Sequence, residues 1–122
     1  MKHTKSGILV WFWVLLPLLL SAQPEVLKKG LHLNRKDTQT VNLLNRISEG
    51  YMAETATDSA LAYAALAAAL AEKIHYSIGW ADAISGQSKN YYKIGDYGKA
   101  TERALRSLKI CDSVNYIAGK AI

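Results

Sequence analysis

The stretch YYKIGDYGKA, Tyr91 to Ala100, decides the fold. Gly95 can take a positive φ without steric cost and so ends a helix. Asp96 beside it can accept from the free N–H groups of a following helix and so starts one. The pair reads as a corner between consecutive helices. Upstream, Ala81, Ile84, Ser88 and Tyr91 recur at helical spacing and predict a helix over about 78–93. Downstream, Tyr97, Ala100, Ala104, Leu108 and Cys111 make an apolar stripe over about 97–114. Lys99, Glu102, Arg103, Arg106 and Lys109 form its opposite, solvated side.

The same reading extends toward the start of the chain. Val41, Leu44, Ile47, Ser48 and Tyr51 predict a helix over about 39–54, capped by Asp37 or Thr38. Thr55-Ala56-Thr57-Asp58 interrupts it, and Thr57 or Asp58 is expected to cap the next helix. That helix holds the run ALAYAALAAALAEKI, residues 60–74. Eight of the twelve residues 60–71 are Ala, which combines high helix propensity with close backbone approach. Glu72 and Lys73 end the run too early for a membrane span. His75-Tyr76-Ser77 makes the next turn. No segment alternates with period two, so the predicted class is all-α without a sheet.

Sliding residues 41–82 onto 81–122, an offset of 40, gives seven identities. They are Ser48/Ser88, Tyr51/Tyr91, Ala60/Ala100, Ala64/Ala104, Tyr76/Tyr116, Gly79/Gly119 and Ala81/Ala121. They fall at equivalent points of two helical hairpins, about 41–80 and 81–120. The small pairs at 60/100 and 64/104 let the second helix of each hairpin approach the first. Tyr51 and Tyr91 are expected to fill the gap between successive hairpins.

The order of a late Tyr91, the Gly95-Asp96-Tyr97 corner and an early Ala100, with Ala104 following, resembles a tetratricopeptide repeat. The resemblance covers roughly 38–122. It departs from the family pattern where Leu44 and Ile84 replace a Trp, Ser48 and Ser88 a Gly, and Ala64 and Ala104 a large aromatic. Glu72 and Asp112 stand where a Pro closes the repeat, and the 40-residue period overlaps HEAT and armadillo arrays, the alternative fold. The resemblance implies a solenoid of antiparallel helical hairpins whose first helices line a concave side. Carried over by position, that side shows Asn42, Asn45, Glu49 and Met52, then Asp82, Ser85, Lys89 and Tyr92. It implies a protein or peptide segment as the ligand. Lys89 is the only cation on these rows, which does not reproduce a clamp for a terminal carboxylate. A third hairpin is expected to be cut short, so self-association of an incomplete array is expected too.

The first residues read as an address. Lys2 and Lys5 precede an apolar run, residues 8–20, and Ser21-Ala22 offers a cleavage point. Residues 1–22 are therefore expected to be a signal peptide of an exported, periplasmic protein. The alternative is an uncleaved anchor in the inner membrane through residues 8–20. Residues 23–37 read as a linker with a short helical turn. Removing the leader leaves Lys+Arg 13 against Asp+Glu 10, too small an excess to suggest nucleic acid.

Residue chemistry suggests no enzyme. His32 and His75 are scattered, and no H-E-x-x-H or C-x-x-C occurs. Cys111 is the only cysteine and sits on an apolar stripe, so it reads as a core thiol. Tyr63, Tyr76 and Tyr116 read as packing residues. No cofactor or metal is expected. The expected function is a non-enzymatic protein-binding scaffold; the alternative is the sensor end of a signal transducer with a kinase, cyclase or regulator output.

Overall fold

The computed structural model describes residues 24–31 and 36–114. The leader 1–22, His32, Tyr116, Gly119 and Ala121 lie outside the described residues. Those described are all-α, in five packed helices: α1 (Pro24–Lys28), α2 (Thr38–Ala53), α3 (Thr57–Lys73), α4 (Ser77–Lys93) and α5 (Tyr97–Val114). The bounds of α2 to α5 agree with the sequence reading to within about two residues, the ordinary scatter of helix ends. Asp37 caps α2, its Oδ1 accepting from the Thr40 N–H at 2.8 Å.

The corners are alike and twenty residues apart. Thr55, His75 and Gly95 sit in the left-handed region, with φ of 62°, 58° and 82°. Each donates its N–H three residues back, to Met52, Glu72 and Tyr92. The next N–H donates five back: Ala56 to Tyr51 at 2.9 Å, Tyr76 to Ala71 at 2.8 Å, and Asp96 to Tyr91 at 2.9 Å. These paired bonds satisfy the last carbonyls of each helix. The next helix begins at once, so neither Thr57 nor Asp58 is a cap. Both lie in the first turn of α3, whose N-cap Ala56 offers no side-chain acceptor. Only Gly95-Asp96 has the local chemistry for its role, with Asp96 Oδ1 accepting from the Lys99 N–H at 3.2 Å.

Two hydrogen bonds repeat with the forty-residue spacing. Ser48 Oγ donates to the Ala60 carbonyl at 2.7 Å, and Ser88 Oγ donates to the Ala100 carbonyl at 2.6 Å. A serine hydroxyl is short, so each bond holds the two helices of a hairpin close. Close approach requires small side chains, and Ala60, Ala64, Ala67 and Ala71 are all buried along one stripe of α3. Val41, Leu44, Ile47, Ile84 and Ile110 supply the larger apolar volume. Burying each of them is worth about 1.5–3 kcal/mol. Cys111 is buried among them, as its stripe predicts.

The stretch expected as a linker holds α1, which closes the start of the stack. Pro24 is buried, and Leu27 and Leu31 pack on Ile47, Tyr51 and Ala60. Tyr51 therefore does not fill a gap between hairpins. It turns toward α1, its hydroxyl donating to Glu25 Oε1 at 2.6 Å and its ring stacked on Tyr63 at 5.6 Å. Lys28 Nζ lies 4.8 Å from the Tyr51 ring centre and 3.2 Å from Glu25. Among the described residues, the Tyr91 ring lies beneath Lys99 Nζ of its own hairpin at 5.4 Å.

The Tyr51 hydroxyl, and then the Lys28 ammonium, hold the Glu25 carboxyl below the ordinary carboxylate range. The same bond to Glu25 raises the Tyr51 phenol above its usual value. A lowered carboxyl stabilises the fold above its unfolded pKa and loses that contribution as pH falls through the folded value. A raised phenol contributes below its unfolded pKa and is lost as pH rises through the folded one. Docking of α1 is therefore expected to loosen in acid. Amide exchange at Lys29, Gly30 and Leu31, whose N–H groups donate to the carbonyls of Val26, Leu27 and Lys28, should accelerate as pH falls through the lowered Glu25 range, after correction for intrinsic rates. Glu25→Gln should remove that step, and an unchanged step in the variant would refute the assignment.

Two glycines make a paired stability test. A Cβ on Gly79 would meet Val41 Cγ1 and Tyr76 Cδ2, each at 2.5 Å, whereas one on Gly86 meets nothing within 4 Å. Gly79→Ala is expected to cost about 1–3 kcal/mol through overpacking. Gly86→Ala should gain about 0.5–1 kcal/mol through helix propensity. Chemical denaturation of both variants checks the two signs.

Candidate binding groove

Helices α2 and α4 lie side by side and run in the same direction. Near their starts, Tyr76 Oη donates to Asn42 Oδ1 at 3.0 Å and Asn45 Nδ2 donates to the Gly79 carbonyl at 3.1 Å. At their far ends, Lys93 Nζ donates to the Met52 carbonyl at 2.8 Å. Between these ties lies an open hollow of about 410 Å³, lined by Glu49, Met52, Asp82, Ser85, Gly86 and Lys89. Residues 82, 85, 86 and 89 recur at helical spacing, so α4 presents them as one stripe.

Of the eight residues expected on the concave side, five meet at this hollow. Tyr92 lines a neighbouring, more apolar hollow of about 490 Å³ with Met52, Ser88, Ala100, Thr101 and Ala104. Met52 and Lys89 line both. Asn42 is exposed but engaged with Tyr76. Asn45 is buried, and its amide holds α4 against α2, so it is a structural contact rather than an open groove position. The reason is local: α4 begins directly over Asn45, where Gly79 lets the backbone approach.

The groove is chemically mixed. Glu49 and Asp82 bring carboxylates, Lys89 an ammonium group, Ser85 a hydroxyl and Met52 an adaptable thioether. Tyr92 is 66% exposed beside it, with its ring 5.3 Å from that of Tyr97 in an edge-on contact. Among the described residues no group of three or more His, Cys, Asp or Glu is placed to hold a metal ion. Nor is any described helix long and apolar enough to cross a membrane.

The sequence reading does not include Gly86, which lines the groove, or Thr101 and Lys93, which line the neighbouring hollow. Gly86 has no side chain to signal its place, and Lys93 meets Met52 only because α2 and α4 end side by side. A separate hollow of about 270 Å³ lies between α2 and α3, lined by Thr40, Leu44, Leu66, Ala69 and Leu70 with Lys36 and Lys73. Contact with the Lys36 ammonium pulls the Lys73 pKa down, as two like charges oppose each other.

Comparison with protein-family models, curated proteins and solved structures finds no match to this chain.

Two asparagines on α2 separate structure from surface. Asn45→Ala removes a buried hydrogen bond to a backbone carbonyl and should cost about 1–2 kcal/mol. Asn42→Ala removes an exposed one and should cost less than about 0.5 kcal/mol. Equal losses in urea denaturation would contradict the assignment of Asn45 as the tie between α2 and α4.

Proposed function

We propose that this chain is a non-enzymatic, exported helical-repeat module of the tetratricopeptide-like kind, which holds a segment of another protein between α2 and α4. The observation that carries the reading is the hollow itself. Two equivalent helices bring Glu49, Met52, Asp82, Ser85 and Lys89 together on one open surface. These side chains offer hydrogen-bond donors, acceptors and apolar contact across a strip rather than at one reacting point. That pattern suits an extended polypeptide, whose backbone and side chains need all three. Export follows from the basic, then apolar, start of the sequence, residues 1–22. Binding energy in such a strip should concentrate at a few central side chains.

The test is a random-peptide display library panned on the chain. Selected peptides should bind wild type and lose affinity by about tenfold or more on Met52→Arg or Lys89→Glu, typical of truncating a central contact. Peptides that bind both variants as well as wild type would place the binding surface elsewhere. Failure to select any peptide would count against the reading.

A further inference from the structure

The two hairpins fill one equivalent place differently. In the second, Trp80 near the start of α4 packs on the cluster that holds Ile84, Ile110 and Cys111. Arg106, from the far half of α5, lies over its ring at 5.8 Å. Forty residues earlier, Thr40 stands for Trp80 and Leu66 for Arg106. A threonine is far smaller than an indole. The place it leaves is the hollow of about 270 Å³ between the start of α2 and the end of α3.

Leu44, Leu66, Ala69 and Leu70 give this hollow apolar walls. The Thr40 hydroxyl is already engaged, donating to Asp37 Oδ1 at 2.9 Å. Lys36 and Lys73 also line the hollow, and both are exposed, so they stand at its mouth. No carboxylate is among the described residues that line it. The two ammonium groups are in contact, and their repulsion pulls the Lys73 pKa down. An anion between them would relieve that repulsion through charge-assisted hydrogen bonds. An apolar group beneath it would cover the leucines.

We propose that this hollow binds a small aromatic carboxylate, with its ring in the place that Trp80 fills in the second hairpin and its carboxylate between Lys36 and Lys73. The ring follows from the equivalence of the two hairpins, and the charge from the two cations. Pockets for drug-sized molecules hold about 300–1,000 Å³. At about 270 Å³ this one suits a single ring system. The inference stands apart from the proposed function, since it concerns the space between α2 and α3 and needs no peptide ligand.

The test is an NMR titration of the full chain, labelled at leucine methyls and lysine side chains, with indoleacetate as the probe. The Leu44, Leu66 and Leu70 methyls should shift saturably, with a Kd of about 1 mM or tighter. The Lys73 pKa should rise on binding. Acetate carries the charge without the ring, and tryptamine the ring with the opposite charge. Each should bind about tenfold or more weakly than indoleacetate. Lys73→Glu, a change at an exposed side chain, should weaken indoleacetate by about tenfold or more. Thr40→Trp should fill the hollow as Trp80 does and abolish the shifts. No saturable shift at these methyls would overturn the proposal. So would tryptamine binding as tightly as indoleacetate, or Lys73→Glu binding as well as wild type.

Discussion

The fold depends on how closely the two helices of each hairpin approach. The hydroxyls of Ser48 and Ser88 reach the carbonyls of Ala60 and Ala100 at 2.7 and 2.6 Å. Such short side chains cannot bridge widely spaced helices. The alanine stripe of α3 follows from this, because larger residues at 60, 64, 67 or 71 would push α3 away from its neighbours. The cost is a core poor in apolar volume. Alanine contributes little burial, so a single hairpin is weakly held, and stability must come from stacking one hairpin on the next. The contact between hairpins, Asn45 to Gly79, and the Ser107 Oγ bond to the Ala81 carbonyl at 2.9 Å inside the second hairpin are then as necessary as the core itself.

Uniform corners turn that contact into a surface. Three equivalent turns separate the four long helices, and α2 and α4 come to lie side by side. Their adjacent stripes need not pack against α3 or α5, which leaves Glu49, Asp82, Ser85 and Lys89 available to line a groove. The same regularity gives the stack two different ends. One is covered by α1 and the Glu25–Tyr51–Lys28 cluster. The other carries Tyr92, Tyr97, Leu105 and Leu108 in the open.

The long helices were legible because apolar spacing and the signals at Asp37, Gly95 and Asp96 act locally. The corners at Thr55 and His75 were legible in position but not in geometry. A β-branched threonine at positive φ runs against local preference and is held there by the paired bonds of the turn. Helix α1 was legible only as a short turn inside a linker, since five residues are too few to nucleate alone. It forms because Pro24 and Leu27 find the hairpin beneath them. At the groove, the resemblance to a tetratricopeptide repeat, carried over by position, put Glu49, Met52, Asp82, Ser85 and Lys89 on one side. It could not tell that Asn45, on the same side, would be covered by the start of α4, nor that Ala104 would be left open while Ala64 is buried.

Crystallography of the chain tests the repeat most directly. Residues 41–73 should superpose on 81–113, helix on helix and corner on corner, with both serine-to-carbonyl bonds present at equivalent places. Hairpins that share no common superposition, or serines turned away from Ala60 and Ala100, would contradict the account.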